Sequence, residues 1–281
     1  MALVRKHLHE TSLKYCTPYT LKNRGRREVR PRPSSIEISV PATAPTPTAV
    51  PSATPTGVIT VTEKQLADKN ANGEVVIKSE INMSELVLPG NAAQLLAGAA
   101  ITLEANNLEI TIPATVLASL TQQLPADEAG KSKISLTAKP LARSEADAML
   151  AKAGSQAGAQ LTAGAEILDF TLSMTTEAGK TVTLSQFQQP ITISFAVDPS
   201  ADASLLGIYY VTDDGKLQYI GGKLENGRLT ASINHFSSYA MLEYNKAFTD
   251  LPSSHWSAQT VKELAAKQLI QGVSADRFNP G

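Results

Sequence analysis

The sequence predicts a mainly β protein: an antiparallel β-sandwich with a short helix, a helical C-terminal segment after it and a disordered N-terminal segment before it. Three observations carry that prediction. Apolar residues make up 42 % of the 281 positions but aromatic ones only 5 %, so the core must be aliphatic. Val, Ile, Leu and Thr recur in short alternating runs, the period of half-buried strands. Gly, Pro, Asn and Asp punctuate those runs at the intervals of a sandwich.

The first element is basic. Met1–Ser34 holds nine Lys/Arg against two Glu, while the overall net charge is −1, so the remaining body is weakly acidic. An acidic body argues against nucleic-acid binding, which needs a basic face. No apolar run of signal-peptide length follows the basic residues. The segment reads as a mis-assigned start or a fused non-native segment or, alternatively, as an RNA- or phosphate-binding arm around Arg24, Arg26, Arg27, Arg30 and Arg32. "PATAPTPTAVPSATPTG", Pro41 to Gly57, follows as a linker, because each Pro fixes φ and removes a donor. Residues 1–57 are therefore expected to be disordered and lost early to proteases.

From Val58 the runs are strand-like: "GVITVTEKQL", "EVVIKSEI", "AAITLEANNLEITIPATVL", "SKISLTAKPL", "EILDFTLSMTT", "KTVTLSQF", "PITISFAVD" and "LLGIYYV". "TDDGKLQYI" predicts a hairpin with positive φ at Asp214 and Gly215, and "ENGRLT" repeats the device at Asn226-Gly227. "SEADAMLAKAG" reads as the short helix, capped by Ser144 and stopped at Gly154. Cys16 is the sole cysteine, so no disulfide forms within the chain, and no run approaches a membrane span.

Catalytic spacings are missing. Histidines occur at 7, 9, 235 and 255 only, without His-Glu-x-x-His, Gly-x-Ser-x-Gly or P-loop patterns. "DKNANGEVVIKS" offers Asp68, Asn70, Asn72 and Gly73 in calcium-loop order, but Ser79 replaces the bidentate Glu, which favours a plain Asn-Gly turn. Tyr209, Tyr210 and Tyr219 are the few aromatics that sugars could stack on. No cofactor or metal is expected.

Residues 58–244 resemble the ZU5-like β-sandwich modules of bacterial surface proteins. The resemblance rests on "LEITIPATVL", "DFTLSMTTEAGKTVTLSQFQQPITISFAVDP", "IYYVTDDGKLQYIGG" and "NHFSSYAMLEY". It implies one reactive candidate, His235-Phe236-Ser237. In related domains this tripeptide cleaves itself: the Ser hydroxyl attacks the preceding carbonyl with the His as base, and water releases the ester. His235 and Ser237 are expected on one face of a strand, where a satisfied strand-end histidine is the plainer reading.

Residues 245–281 resemble the first half of an S-layer homology motif. Phe248 and Asp250, His255 and Trp256, a helix with Val261, Leu264 and Ala265, then Leu269, Ile270, Gly272, Phe278 and Pro280 match its pattern. Ser257 and Gln268 depart from it, the latter standing where the family ends its helix with Gly. The pattern continues with Thr-Arg-Ala-Glu and a second helix, and the sequence stops at Gly281 before both, so it reads as a fragment. The resemblance implies three such motifs in a complete protein, bound to the secondary cell wall polysaccharide of a Gram-positive envelope. Asp250 and Trp256 are the residues it places near the polymer. Their plainer roles are a cap for Asp250 and a core anchor, beside Phe248 and Phe278, for Trp256.

The expected function is that of a non-catalytic, exported cell-surface or S-layer-associated protein. The alternative is the remnant of a wall-anchored polysaccharide-degrading enzyme without its catalytic module. The helix, drawn from about His255 to Gln268, lacks neighbours of its own kind and is expected to fray or to dock on the sandwich.

Overall fold

Residues 56–212 and 214–280 are described by the computed structural model. The basic segment, and the linker up to Pro55, lie outside the described residues. Chain order begins β1 (Thr56–Thr60), α1 (Glu63–Ala67), β2 (Val75–Lys78), β3 (Asn82–Pro89), α2 (Ala92–Leu96), β4 (Ala100–Glu104) and β5 (Glu109–Pro113). It continues with α3 (Ala114–Thr121), α4 (Ala126–Ala129), β6 (Lys133–Pro140), α5 (Arg143–Ala157), β7 (Gln160–Ala163), β8 (Leu168–Thr175) and β9 (Thr181–Leu184). The last part is β10 (Gln186–Ala196), β11 (Leu206–Val211), β12 (Leu217–Gly221), β13 (Lys223–Glu225), β14 (Arg228–His235), β15 (Ser238–Asn245) and α6 (Ala258–Ala266).

Two sheets result. The first runs β1-β3-β6-β8-β15-β11-β12, with β7 added on β15 and β9 on β8; the second runs β13-β14-β10-β5-β4-β2. The mainly β class is as the sequence predicts, but the sheets are mixed rather than antiparallel. β1 lies parallel to β3, and β2 parallel to β4. The cause is an interleaved start: the chain leaves each sheet for the other before returning, and a parallel pair needs such a crossover. Alternation does the rest. Leu86 and Leu88 of β3, Leu136 of β6 and Leu172 of β8 share one buried cluster with Leu103 of β4, Ile110 of β5 and Ile193 of β10. Each such side chain contributes about 1.5–3 kcal/mol by leaving water.

Several runs read as strand turn into helix part-way. "GVITVTEKQL" divides at Thr62, whose hydroxyl accepts from Gln65 N while the Gln65 side chain accepts from Thr62 N, closing a capping box. "LEITIPATVL" divides at Pro113, after which Val116, Leu117 and Leu120 of α3 are buried. Adjacent apolar residues do not separate the two periods, and length alone decides. The expected helix is longer than predicted. Ser144 lies inside α5, Ala142 precedes it with its N–H on the Glu145 carboxylate, and Gly158 at φ 59° ends it. Gly154 is not a stop but a point of close approach, where a Cβ would lie 2.8 Å from the Ala159 carbonyl oxygen.

Of the hairpins, Asn226 and Gly227 both take positive φ, as predicted between β13 and β14. Between β11 and β12, Gly215 takes φ 84°. Thr212 holds that longer turn, its hydroxyl accepting from Lys216 N at 2.9 Å. The Asn70 carboxamide oxygen accepts from Asn72 N and Glu74 N, so the calcium-like stretch is a closed Asn-Gly turn, with α1 rather than a strand before it.

Candidate functional site

The C-terminal segment builds a small core of its own. Phe248, Leu251, Ala258 and Val261 are buried together, with Ile270 and Phe278 packed against them. The Phe248 and Phe278 rings stand 5.4 Å apart. Asp250 closes the segment. Its Oδ1 accepts from Phe278 N at 2.8 Å and its Oδ2 from Asn279 N at 2.9 Å, with Arg277 Nε 3.6 Å away. The Phe278 bond above all, then the Asn279 bond and the Arg277 charge, hold the carboxyl below its usual range. Asp250 therefore clasps the start of the segment to its end.

Trp256 is not a core anchor. It is 89 % exposed, because α6 begins at Ala258 and the tryptophan sits in the turn before it, off the buried face of Ala258, Val261, Ala265 and Ala266. His255 Nδ1 accepts from Ser257 N at 3.3 Å, and the His255 ring lies 5.7 Å from the Trp256 ring. Leu269 is 68 % exposed beyond the helix end.

That helix end is a Schellman turn. Gln268 N donates to Ala265 O and Leu269 N to Leu264 O, each at 2.9 Å, and Gln268 takes φ 54°. Gln268 thus occupies the left-handed position itself. A non-glycine residue there costs about 1–2 kcal/mol. Its carboxamide offsets this: Oε1 accepts from Tyr219 N at 2.7 Å and Nε2 donates to Leu217 O at 2.9 Å, two bonds of about 0.5–1.5 kcal/mol each.

The segment is docked, not frayed. The fully buried Tyr209 of β11 donates its hydroxyl to Ala266 O at the end of α6, and Ala266 packs into the cluster of Tyr209, Leu242 and Tyr244. Burial, with Tyr244 and Tyr219 nearby, pushes the Tyr209 phenol far above its ordinary value, so it stays a donor. Lys246 Nζ donates to Ala157 O at 2.7 Å, at the C-terminus of α5, and stands over the Phe248 ring. Burial lowers its pKa. Gln259 Nε2 reaches Ser204 Oγ at 3.2 Å. A cavity of about 660 Å3 lies between the two parts, lined by Lys216, Lys246, Gln156, Gln271 and Tyr244 among others. Lys216 pairs with Asp214 at 2.7 Å, which holds that carboxyl near about 2, so neither group is poised for proton transfer at neutral pH.

His235, Phe236 and Ser237 lie elsewhere and not on one strand. β14 ends at His235 and β15 begins at Ser238, so Phe236 and Ser237 form the crossing between sheets. Crossing sheets required leaving the pleat, which ends the two-residue alternation. Phe236 packs on Phe187 at 5.0 Å, and Ser237 O accepts from Phe170 N at 3.1 Å. The His235 ring meets Asn234 Oδ1 at 3.1 Å and Tyr239 Oη at 3.3 Å. Tyr209 is buried and Tyr219 lies edge-on to it at 5.6 Å, so these rings serve packing. Sequence reasoning missed Tyr209, Lys246 and Gln259 as docking residues; a Gln in place of the helix-ending Gly was the available signal.

Two comparisons with known proteins bear on this segment. The S-layer homology domain model matches residues 247–281. An amylopullulanase of Thermoanaerobacterium thermosulfurigenes is 26 % identical over 95 residues, which is 33 % of this chain and 5 % of that enzyme. The chain thus spans about a twentieth of the relative's length. S-layer homology domains bind cell-wall polymers. By its sequence, the segment 247–281 is an S-layer homology domain.

Proposed function

We propose that this chain is part of an exported cell-surface protein, held to the secondary cell wall polysaccharide of a Gram-positive envelope through S-layer homology motifs. The observation that carries the reading is the match over residues 247–281, with Trp256 exposed at the head of α6 instead of used as core. An exposed indole beside an imidazole offers a stacking face for a sugar ring. Asp250 contributes by holding the frame, since both its oxygens are engaged with backbone. The β module is a structural or adhesive support; its two-sheet architecture fits the ZU5-like resemblance of residues 58–244.

The test joins the chain to a full set of three motifs and measures co-sedimentation with purified wall sacculi. Binding that disappears when the wall polymer is stripped, and weakens with Trp256→Ala, supports the reading. Equal sedimentation with stripped sacculi rejects the polymer as partner. The amylopullulanase similarity favours a second reading, in which the chain belongs to a wall-anchored polysaccharide-degrading enzyme. Expression of the whole gene product should then release reducing sugar from amylose or pullulan, the polysaccharides in that relative's name.

A further inference from the structure

Gln268 combines three features that the Schellman turn alone does not require together. Its φ is 54°, its N–H completes the helix-ending turn, and its carboxamide pairs with backbone groups of β12. β12 is the outermost strand at its end of the first sheet, where unpaired N–H and C=O groups await a partner. We propose that Gln268 is a docking residue that reads the β12 edge, and that this edge is the interaction surface for the chain's own segment 247–280. The side-chain amide acts as one more peptide group of the sheet. It fixes the direction in which α6, and with it Trp256, leaves the β module.

The chemistry selects the residue. Tyr219 N needs an acceptor and Leu217 O needs a donor, and a carboxamide carries both on one planar group. A Glu would accept but not donate, and a Gly would do neither. A role confined to ending the helix makes the opposite demand, because Gly adopts positive φ without strain. The bonds of Tyr209 to Ala266, Lys246 to Ala157 and Gln259 to Ser204 act beside Gln268. Its loss therefore loosens the segment without releasing it. The proposal is independent of what the segment binds.

Amide exchange by NMR on the full chain separates the two roles. In Gln268→Gly the Tyr219 amide should exchange about tenfold faster, the effect of leaving one edge donor to solvent. The Leu269 amide, in the turn that Gly favours, should stay as protected as in the wild type. Gln268→Glu should leave Tyr219 between the two, since its acceptor remains. Spin labels at Lys223 and Thr260, in a Cys16→Ser background, should give one narrow distance in the wild type and a broadened one in Gln268→Gly. An unchanged Tyr219 exchange rate in Gln268→Gly overturns the proposal. So does an equal acceleration throughout β11 and β12, which would report general destabilisation instead of a lost contact.

Discussion

Asp250 accepts one backbone N–H on each oxygen, so protonation would remove the charge that both bonds depend on. Its pKa is depressed in the folded chain, chiefly by the Phe278 bond. The linkage follows from that sign. The clasp contributes stability at pH values above the ordinary 3.8 of the group and loses it as pH falls below that value, through the lower folded one. Amides of Phe278 and Asn279 should lose exchange protection in that acid window, whereas in Asp250→Ala they should be unprotected at neutral pH as well. Protection at neutral pH unaffected by Asp250→Ala would remove the clasp from the account. At His235-Phe236-Ser237 the expectation is inertness. Mass spectrometry after long incubation at neutral pH should find an intact chain, identical in Ser237→Ala, because the His235 ring is engaged with Asn234 and Tyr239. Two fragments meeting between Phe236 and Ser237 would make the turn self-processing.

At the scale of elements, α5 tests packing against propensity. Gly154 lies inside this helix, where Ala is favoured by about 1 kcal/mol. The added Cβ would come within 2.8 Å of the Ala159 carbonyl oxygen, a backbone atom that moves only with the start of β7. Gly154→Ala should therefore lower the midpoint of thermal unfolding rather than raise it. A raised midpoint would mean that the α5–β7 connection yields easily. Helix α6 shows the complementary balance. Nine residues are too few to hold a helix in water on their own. Burial of Ala258, Val261, Ala265 and Ala266 against the terminal cluster and the Tyr209 cluster supplies what length does not. Val261→Ala should cost about 2 kcal/mol, from two lost methyl groups and the space they leave. Circular dichroism and chemical denaturation together would measure that.

Over the whole described molecule, the docked segment should not behave as a tail. Ala266 sits in the same buried cluster as Tyr209, Leu242 and Tyr244, and the Gln268 amide extends the sheet edge. Limited proteolysis should thus leave a protected core that reaches past Tyr244 to the end of α6, and chemical denaturation should show a single transition reported alike by Trp256 fluorescence and by far-ultraviolet signal. A Trp256 transition at lower denaturant than the β signal would show a separately folding segment.

Much of this was legible in the residues themselves. Alternating Val, Ile, Leu and Thr sets which faces of a strand meet the core, so the mainly β class and the Asn226-Gly227 turn follow from local chemistry. The Phe248, Asp250 and His255-Trp256 spacing likewise carries the S-layer homology identity. Local chemistry does not say which strand pairs with which. The parallel β1–β3 and β2–β4 pairs arise from a chain that alternates between two sheets, and α1 and α3 begin inside runs that read as strand. The same limit explains Trp256 and Gln268. Whether an aromatic is buried depends on where its helix begins, and whether a left-handed Gln is tolerable depends on a strand edge some 50 residues earlier in the chain. Periodicity is a property of neighbours in sequence; burial and edge pairing belong to neighbours in space, and tertiary structure alone decides those.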